Sequence, residues 1–87
     1  MNNYSIEKIN KLYVLCSIDL SGQTVYLNSL HDHKWEITPD IERASKMLSR
    51  KVARIVLDGY YQDTVSDSSF VIIPMEVEYR LINETND

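Results

Sequence analysis

The chain has 87 residues, of which 44% are hydrophobic and 25% are charged. These values fit one globular domain over residues 1–87 and exclude two domains or a disordered tail. A domain of this size needs nearly every strong apolar residue for its core, which leaves little surface for a deep substrate pocket.

The cysteine count and the hydropathy pattern indicate the cellular compartment of the protein. The single cysteine, Cys16, excludes an internal disulfide framework and a cysteine-based zinc site. No apolar run approaches the roughly 20 residues that cross a bilayer, and the N-terminus lacks the pattern of a secretory signal. We therefore expect a cytoplasmic protein that makes no contact with a membrane.

The net charge of −4 is unevenly distributed along the chain. Residues 1–57 carry a balance of +2, whereas residues 58–87 carry a balance of −6. The acidic C-terminal third disfavours binding to nucleic acid or to an anionic membrane, and it suits a basic partner surface.

A β-hairpin is predicted in the first third of the chain. Residues 12–20 alternate, and residues 24–30 are rich in β-branched and aromatic side chains, with turn residues between them. The connecting loop is expected to have about three to five residues. Upstream, residues 5–12 form either a short helix that begins at Ser5 or an irregular lead-in. The face of the first strand expected to lie against the core consists of Leu12, Val14, Cys16, Ile18 and Leu20.

A helix is predicted after a polar break at residues 31–34. The Thr-Pro-Asp sequence at residues 38–40 is a typical helix start, with an N-cap, a proline at the first helical position and an acid in the first turn. Apolar residues then recur at helical spacing up to the Asp-Gly pair at residues 58–59, where we expect the helix to end. Because Ser49 could also be an N-cap, residues 39–57 form one helix or two, and a break or bend near Ser49 is favoured.

The last third of the chain is predicted to be a loop followed by a strand. Residues 60–69 are polar and predict an exposed loop, residues 70–82 predict a long strand, and residues 83–87 are expected to fray. Pro74 cannot donate to a ladder, which indicates an edge position or a bulge. The consequence is an α+β fold, a two-layer ββαβ arrangement with an antiparallel sheet of about three strands packed on one helix or a bent helix pair.

A set of short motifs links the chain to a known class of proteins. The motifs are Tyr13-Val14-Leu15, a glycine turn, Val25-Tyr26-Leu27, Trp35, Asp40-Ile41, Ala44 and a serine-started helical stretch from Ser49. Over residues 11–57 the chain resembles small uncharacterised proteins of phages and prophages of Gram-positive bacteria. The resemblance implies an accessory phage gene product that acts on a host protein or on a host defence system, and it assigns a catalytic or binding role to no particular residue.

No group of residues predicts catalysis. His31, Asp32 and His33 have the character of metal ligands, but a tight site needs further ligands, so we interpret them as a polar loop. Cys16 is expected to be a buried, inert thiol, and the isolated glycines form no phosphate-binding loop. We therefore expect no enzyme activity, no metal and no cofactor.

A basic surface is one candidate for partner binding. Arg43, Lys46, Arg50 and Arg54 are spaced by three, four and four residues, which predicts one basic face on the helix. Such a face could contact phosphates or an acidic protein surface. The alternative is an ordinary solvated face opposite the apolar stripe of an amphipathic helix.

An acidic surface is the other candidate. It would mimic phosphates and occupy the nucleic-acid groove of a host protein, and the alternative is solvation and protection of the edge of the last strand. Its residues are Asp58, Asp63, Asp67, Glu76 and Glu78, with Glu84 and Asp87 in the tail.

A homodimer is predicted if the second face of the sheet is uncovered. That face is expected to carry Tyr13, Leu15, Tyr26, Leu30, Phe70 and Ile72. Taken together, the sequence predicts a non-catalytic protein-binding module of phage type, a stoichiometric inhibitor of a host protein or of a defence system such as a CRISPR nuclease. The alternative is a nucleic-acid-associated accessory protein that uses the basic helix face, which the net charge disfavours.

Overall fold

Four antiparallel strands form one sheet, and a helix packs on one of its faces. The computed structural model describes residues 4–65 and 69–82, and it describes side-chain burial within residues 11–65 and 69–78. The strand order in the sheet is β3-β2-β1-β4. The α+β class is therefore confirmed, but the predicted ββαβ order omitted one short strand. The elements in chain order are β1 (Tyr4–Ile18), β2 (Thr24–Ser29), β3 (Trp35–Thr38), α1 (Arg50–Asp63) and β4 (Val71–Ile82).

The turn between β1 and β2 is held by the side chain of Asp19. Its Oδ1 accepts hydrogen bonds from the Ser21 hydroxyl at 2.6 Å and from the N–H groups of Ser21 and Gln23 at 2.9 Å. Gly22 has a φ of +88°, a left-handed value that glycine adopts without strain. The Ser21 hydroxyl, followed by the Gln23 N–H, holds the pKa of Asp19 below its ordinary value. The predicted hairpin is confirmed, with a loop over residues 19–23.

β1 and β4 pair along nearly their whole length. The register has one shift, between Ile6 and Lys8. Residues 5–12 thus belong to β1, and both sequence interpretations of them are wrong because the strand that pairs with them lies at the far end of the chain. β2 pairs with β1 at residues 16–18, so the other ends of β1 and β4 form a two-stranded ribbon, and the molecule measures 56 × 29 × 22 Å. The predicted fraying at residues 83–87 lies outside the described residues.

Pro74 lies on an edge strand of the sheet, which is one of the two alternatives that the sequence predicts, and the register shows no bulge at this residue. It stands opposite Tyr13 in β1. The N–H and C=O of Tyr13 are bonded to Met47 on the other side of β1, at 2.8 and 2.9 Å. Because pairs in an antiparallel ladder alternate, the Tyr13–Pro74 pair exchanges no ladder hydrogen bonds. The absent N–H of Pro74 therefore removes nothing from the ladder between β1 and β4.

Residues 39–48 form a non-helical connection, so the predicted helix start is wrong. Thr38 remains in β3, where it pairs with Tyr26. The Thr38 hydroxyl accepts a hydrogen bond from the Asp40 N–H at 3.1 Å, which closes a local turn. The apolar residues of this connection have helical spacing, but its backbone is engaged in turns and in the sheet.

The end of this connection fills a gap between β1 and β2. The Ser45 N–H donates to the Leu27 carbonyl at 3.1 Å, and Met47 exchanges two hydrogen bonds with Tyr13. The sheet therefore continues from β1 to β2 through residues 45–47, at the point where the two strands diverge.

α1 begins where the sequence places the alternative helix start. The Ser49 hydroxyl accepts a hydrogen bond from the Val52 N–H at 3.1 Å, so the expected break near Ser49 is confirmed. The helix does not end at Gly59, because the next residue, Tyr60, is buried in the core. The Tyr60 ring packs edge-on against Trp35 and Phe70, with centroid distances of 5.3 and 5.5 Å. The predicted loop thus begins at residue 64 and not at residue 60.

The helix covers the face of the sheet opposite to the one expected. Leu15, with an exposure of 0%, lies in the core, and Tyr13 and Ile72 pack against it. The predicted core face of β1 is therefore the uncovered one, and the predicted homodimer face is largely covered by α1. Tyr26 was placed on the wrong face, because it pairs with Cys16. The buried core cluster consists of Leu15, Leu27, Met47, Ala53, Leu57, Tyr60 and Phe70.

Candidate functional site

The face of β1 and β4 away from α1 is apolar and exposed. Side chains alternate between the two faces of a strand. Since Tyr13 and Leu15 lie on the face that α1 covers, the residues that alternate with them lie on the opposite face. Ile18 is 62% exposed, Val71 56% and Ile73 41%, while Val14 on the same face is buried. We call the exposed and half-buried part of this face the open face, and it consists of Leu12, Cys16, Ile18, Val71, Ile73, Met75 and Val77.

A groove lies between α1 and the edge strand β4. Its volume is about 710 Å³, its floor is apolar and three cationic side chains border it. The helix contributes both the cations and part of the floor, because residues four apart lie on one side of a helix. We call it the basic groove, and it is lined by Arg50, Lys51, Arg54, Ile55, Leu57, Phe70, Val71 and Ile72.

Arg43 and Lys46, two of the four predicted basic residues, lie before α1 and not on it. Arg43 forms an ion pair with Glu36, with its Nε 3.2 Å from the Glu36 carboxylate. The Lys46 ammonium donates to three backbone carbonyls of its own connection, at 2.9 to 3.1 Å. The predicted four-residue stripe on one helix face is therefore wrong, because the helix begins at Arg50.

The carboxylate of Glu36 is held on β3 by two neighbours. The Asn28 side-chain amide donates to it at 3.1 Å, and Arg43 pairs with it. The Asn28 hydrogen bond first, and then Arg43, hold the pKa of Glu36 below its ordinary value. By alternation, this polar cluster lies on the side of the sheet away from α1.

Arg50 and Arg54, the other two predicted basic residues, border the basic groove. The Arg50 guanidinium lies over the Tyr13 ring, 5.3 Å from its centroid, in a cation–π contact. Arg54 lies one turn further along α1 and is exposed. The structure therefore brings Arg50 and Arg54 together with Lys51, which helical spacing places at the margin of the predicted basic face.

The predicted acidic residues are divided between two elements. Asp58 and Asp63 lie on α1, whereas Glu76 and Glu78 lie on β4, where Glu76 stands opposite Lys11. Asp67 lies outside the described residues, as do the tail residues Glu84 and Asp87. Whether these carboxylates bind a partner stays a prediction.

Asp63 has a structural role that the sequence did not reveal. Its Oδ2 accepts a hydrogen bond from the Trp35 indole N–H at 3.0 Å and lies 3.2 Å from the His33 Nδ1. The carboxylate therefore joins the last residue of α1 to the turn before β3. Helical spacing cannot signal such a contact, because its partners are 28 and 30 residues away in the chain.

The histidine cluster forms a tight turn. Asp32 and His33 have φ values of 59° and 57°, in the left-handed region that aspartate and histidine tolerate better than most residues. Among the described residues, no three side chains of His, Cys, Asp or Glu gather as potential metal ligands. Asp63 is the acidic neighbour that His33 meets at this turn.

Cys16 lies on the open face and is half-buried, whereas the sequence predicts a buried thiol. Burial raises the pKa of its thiol. A raised pKa keeps the sulfur protonated and therefore a poor nucleophile near neutral pH. The Cys16 side chain therefore has the properties of an apolar packing residue.

The comparisons with known proteins leave the chain without a family assignment. In the described part of the chain, no helix has the length and apolar character needed to span a membrane. No protein-family model, no curated protein and no solved structure matches the chain.

Proposed function

We propose that the chain is a non-catalytic protein-binding module that uses its open face. The observation that carries this proposal is the exposure of Ile18, Val71 and Ile73 side by side on one face of a sheet. Exposed apolar side chains of this kind, when contiguous, are typical of protein interaction sites. The occupant that fits is a folded protein with a complementary apolar surface.

The class of partner is taken from the resemblance to phage and prophage proteins alone. A phage gene product of this kind would act in the host cytoplasm, on a host protein or a defence system such as a CRISPR nuclease. As a stoichiometric inhibitor it needs a surface and no catalytic residues. Under this proposal the charged residues tune partner choice and the open face supplies most of the buried area.

A nucleic-acid-associated role is the second candidate. Arg50, Lys51 and Arg54 border one groove, which favours contact with phosphates. Two further predicted contacts, Arg43 and Lys46, are already engaged within the chain. Three cations on a chain of net charge −4 support weaker binding than the predicted set of four would.

Capture from a host lysate with immobilised variants tests the protein-binding proposal. The wild type is expected to retain a partner that Ile18→Lys and Ile73→Lys both lose, because a lysine places a charge in the centre of the apolar contact. Leu48→Lys is the matched control, since Leu48 is an exposed apolar residue outside the sheet. Equal capture by all four proteins, or capture by none, would overturn the proposal.

Duplex DNA separates the second candidate from the first. A gel shift at low salt that depends on Arg50 and Arg54 would assign the chain to the nucleic-acid class. The protein-binding proposal expects no shift under these conditions.

A further inference from the structure

We infer that the basic groove binds an extended acidic peptide segment of a partner protein, which adds as a short strand to the edge of β4 at Ile72. The peptide site goes beyond the proposed function and does not depend on it. It uses the groove and the edge of the sheet, whereas the proposed partner contact uses the open face.

The cations that border the groove have no anionic partner in the part of the chain that the structure describes. The ion pairs there join other residues, and neither Lys51 nor Arg54 takes part in one. Arg50 contacts the ring of Tyr13, which leaves its positive charge without an anion. The groove therefore presents three exposed positive charges on a chain whose net charge is −4. Charge complementarity favours an acidic ligand.

The apolar surface of the groove distinguishes a peptide from a phosphate backbone. Leu57 and Phe70 belong to the core cluster and form part of the floor. Ile55, on the same groove, is 61% exposed. An apolar side chain that covers Ile55 and the floor removes apolar surface from water, whereas a phosphate gains nothing from such contacts. An apolar floor with a cationic border thus fits a peptide that carries both acidic and apolar side chains.

The edge of β4 offers backbone groups beside this floor. Within residues 4–65 and 69–82, β1 is the one strand that pairs with β4. The Tyr13–Pro74 pair exchanges no ladder bonds, and the Leu15–Ile72 pair, two residues along, is of the same kind. The N–H and C=O of Ile72 therefore point away from β1, and Ile72 lines the groove. Addition of a strand to such an edge is a common mode of peptide recognition.

The length of edge that accepts a peptide is short. The Phe70 N–H already donates to the Tyr61 hydroxyl at 3.1 Å, and Pro74 has no N–H. Ile72 can exchange two hydrogen bonds with one residue of an antiparallel peptide, and the Pro74 carbonyl can accept one more. Glu76 stands at the next edge position and repels an acid there. The ligand is therefore a short motif and not a long strand.

The register predicts the pattern of side chains in the ligand. The residue opposite Ile72 points to the same side of the sheet as Ile72, onto the apolar floor. Residues two positions before and after it share that side and stand opposite Pro74 and Phe70. The Arg50 guanidinium lies over Tyr13, the partner of Pro74 in β1, so acids at these positions face the cationic border. The motif is acid-x-apolar-x-acid, with β-branched residues favoured because the peptide is extended.

Fluorescence polarisation at low salt tests the charge complementarity. The probe is a fluorescein-labelled peptide of sequence Thr-Glu-Thr-Ile-Thr-Glu-Thr, and its affinity for the wild-type chain should fall with added salt. Lys51→Glu/Arg54→Glu should weaken binding by about tenfold or more. Replacement of both peptide glutamates by lysine should weaken binding to the wild type and restore it to this variant, which also shows that the variant is folded.

A matched control lies at the opposite edge of the sheet. Lys51→Glu and Lys34→Glu make the same change at exposed lysines, and Lys34 lies in the turn before the other edge strand, β3. Lys51→Glu alone should weaken binding, and Lys34→Glu should bind the peptide as the wild type does. Equal loss in both variants would overturn the inference, as would a wild type that does not bind the peptide at about 1 mM.

Backbone methylation of the peptide tests the strand pairing. N-methylation of its isoleucine removes the N–H that donates to the Ile72 carbonyl, so affinity should fall by about tenfold. N-methylation of the threonine just before it is the control, because that N–H points away from β4 and its loss should change little. Equal effects of the two methyl groups would overturn the pairing.

Other occupants of the groove give different results. Duplex DNA that binds through Lys51 and Arg54, with no binding of the peptide, would overturn the inference and assign the groove to nucleic acid. A wild-type dimer in light scattering that Lys51→Glu dissociates, with no binding of the peptide, would assign it to a second copy. Ile18→Lys should bind the peptide as the wild type does, so loss of partner capture in that variant reports on the open face alone.

Discussion

The two faces of the β1–β4 pair are made from alternate residues of the same two strands, yet α1 covers one face and leaves the other largely exposed. On the covered face, Leu15 is fully buried, and the rings of Trp35 and Phe70 pack against Tyr60 of α1. On the open face, by contrast, the Ile73 side chain is 41% exposed. Both faces are apolar, so hydrophobicity determines that β1 and β4 are strands, while the helix determines which face becomes the core.

The difference assigns separate roles to alternate residues of one strand. A substitution at an odd-numbered position of β1, such as Leu15, removes contacts with α1. A substitution at an even-numbered exposed position, such as Ile18, changes a surface that is free to meet a partner. Stability and recognition can therefore be tested separately, by substitution of Leu15 on the covered face and of Ile18 on the open face.

The largest effect should distinguish the faces directly. Leu15→Ala should lower the free energy of unfolding by about 2–5 kcal/mol, because a fully buried leucine leaves a cavity in the core. Ile73→Ala should cost less than about 1.5 kcal/mol, because its side chain is far from fully buried. Urea denaturation followed by circular dichroism measures both values. Equal costs would contradict the assignment of the two faces.

The cap of α1 should produce the next largest effect. Ser49→Ala removes the hydroxyl that accepts from the Val52 N–H, so it should cost about 1 kcal/mol. Ser49→Thr is the control, since threonine can make the same hydrogen bond and should lose less. An alanine variant as stable as the wild type in thermal denaturation would show that α1 does not depend on this cap.

The centre of the covering helix should tolerate an added methyl group. A Cβ at Gly59 would lie 3.9 Å from Trp35 Cζ2, an ordinary van der Waals distance. Gly59→Ala should therefore raise the free energy of unfolding by about 0.5–1 kcal/mol, since alanine loses less backbone entropy in a helix. Gly22→Ala is the opposing control, because its φ of +88° strains any residue with a side chain. A less stable Gly59→Ala protein would mean that α1 packs differently against Trp35.

The polar cluster on the side away from α1 should give the smallest effect, visible as a pH dependence. The pKa of Glu36 is lower in the folded chain than its ordinary value of 4.5, so its contribution to stability is complete above that pH. The contribution is lost as the pH falls through the lower, folded-state pKa. Thermal denaturation at several pH values should show a shallower acid-side loss for Glu36→Gln than for the wild type. Identical slopes would remove Glu36 from the acid sensitivity of the fold.

Local patterns predicted the parts of the fold that local chemistry controls. The β1–β2 hairpin, the Ser49 cap and the edge position of Pro74 each depend on residues close in sequence or on the chemistry of one residue. The class of fold followed from them. The same patterns could not exclude a helix over residues 39–48, because helical spacing there competes with long-range backbone bonds to β1 and β2.

The candidate surfaces were harder to predict than the fold. Arg43 and Lys46 have helical spacing with Arg50, but they lie before the helix and are engaged elsewhere. The open face was assigned to the core because its residues are as apolar as those of the true core. Lys51 and Ile55 become groove residues because β4 lies beside α1, which is a fact of tertiary structure.

The insertion of residues 45–47 between β1 and β2 has a consequence for the order in which the chain folds. The local hairpin contributes three register pairs, at residues 16–18 of β1, before the strands part. The rest of the sheet requires two pairings between residues distant in sequence, that of Met47 with Tyr13 and that of β4 with β1. Contacts of such long sequence separation close slowly, so the hairpin is a poor nucleus by itself. The speed of folding should therefore depend on when the connection before α1 docks, and not on how quickly the first turn forms.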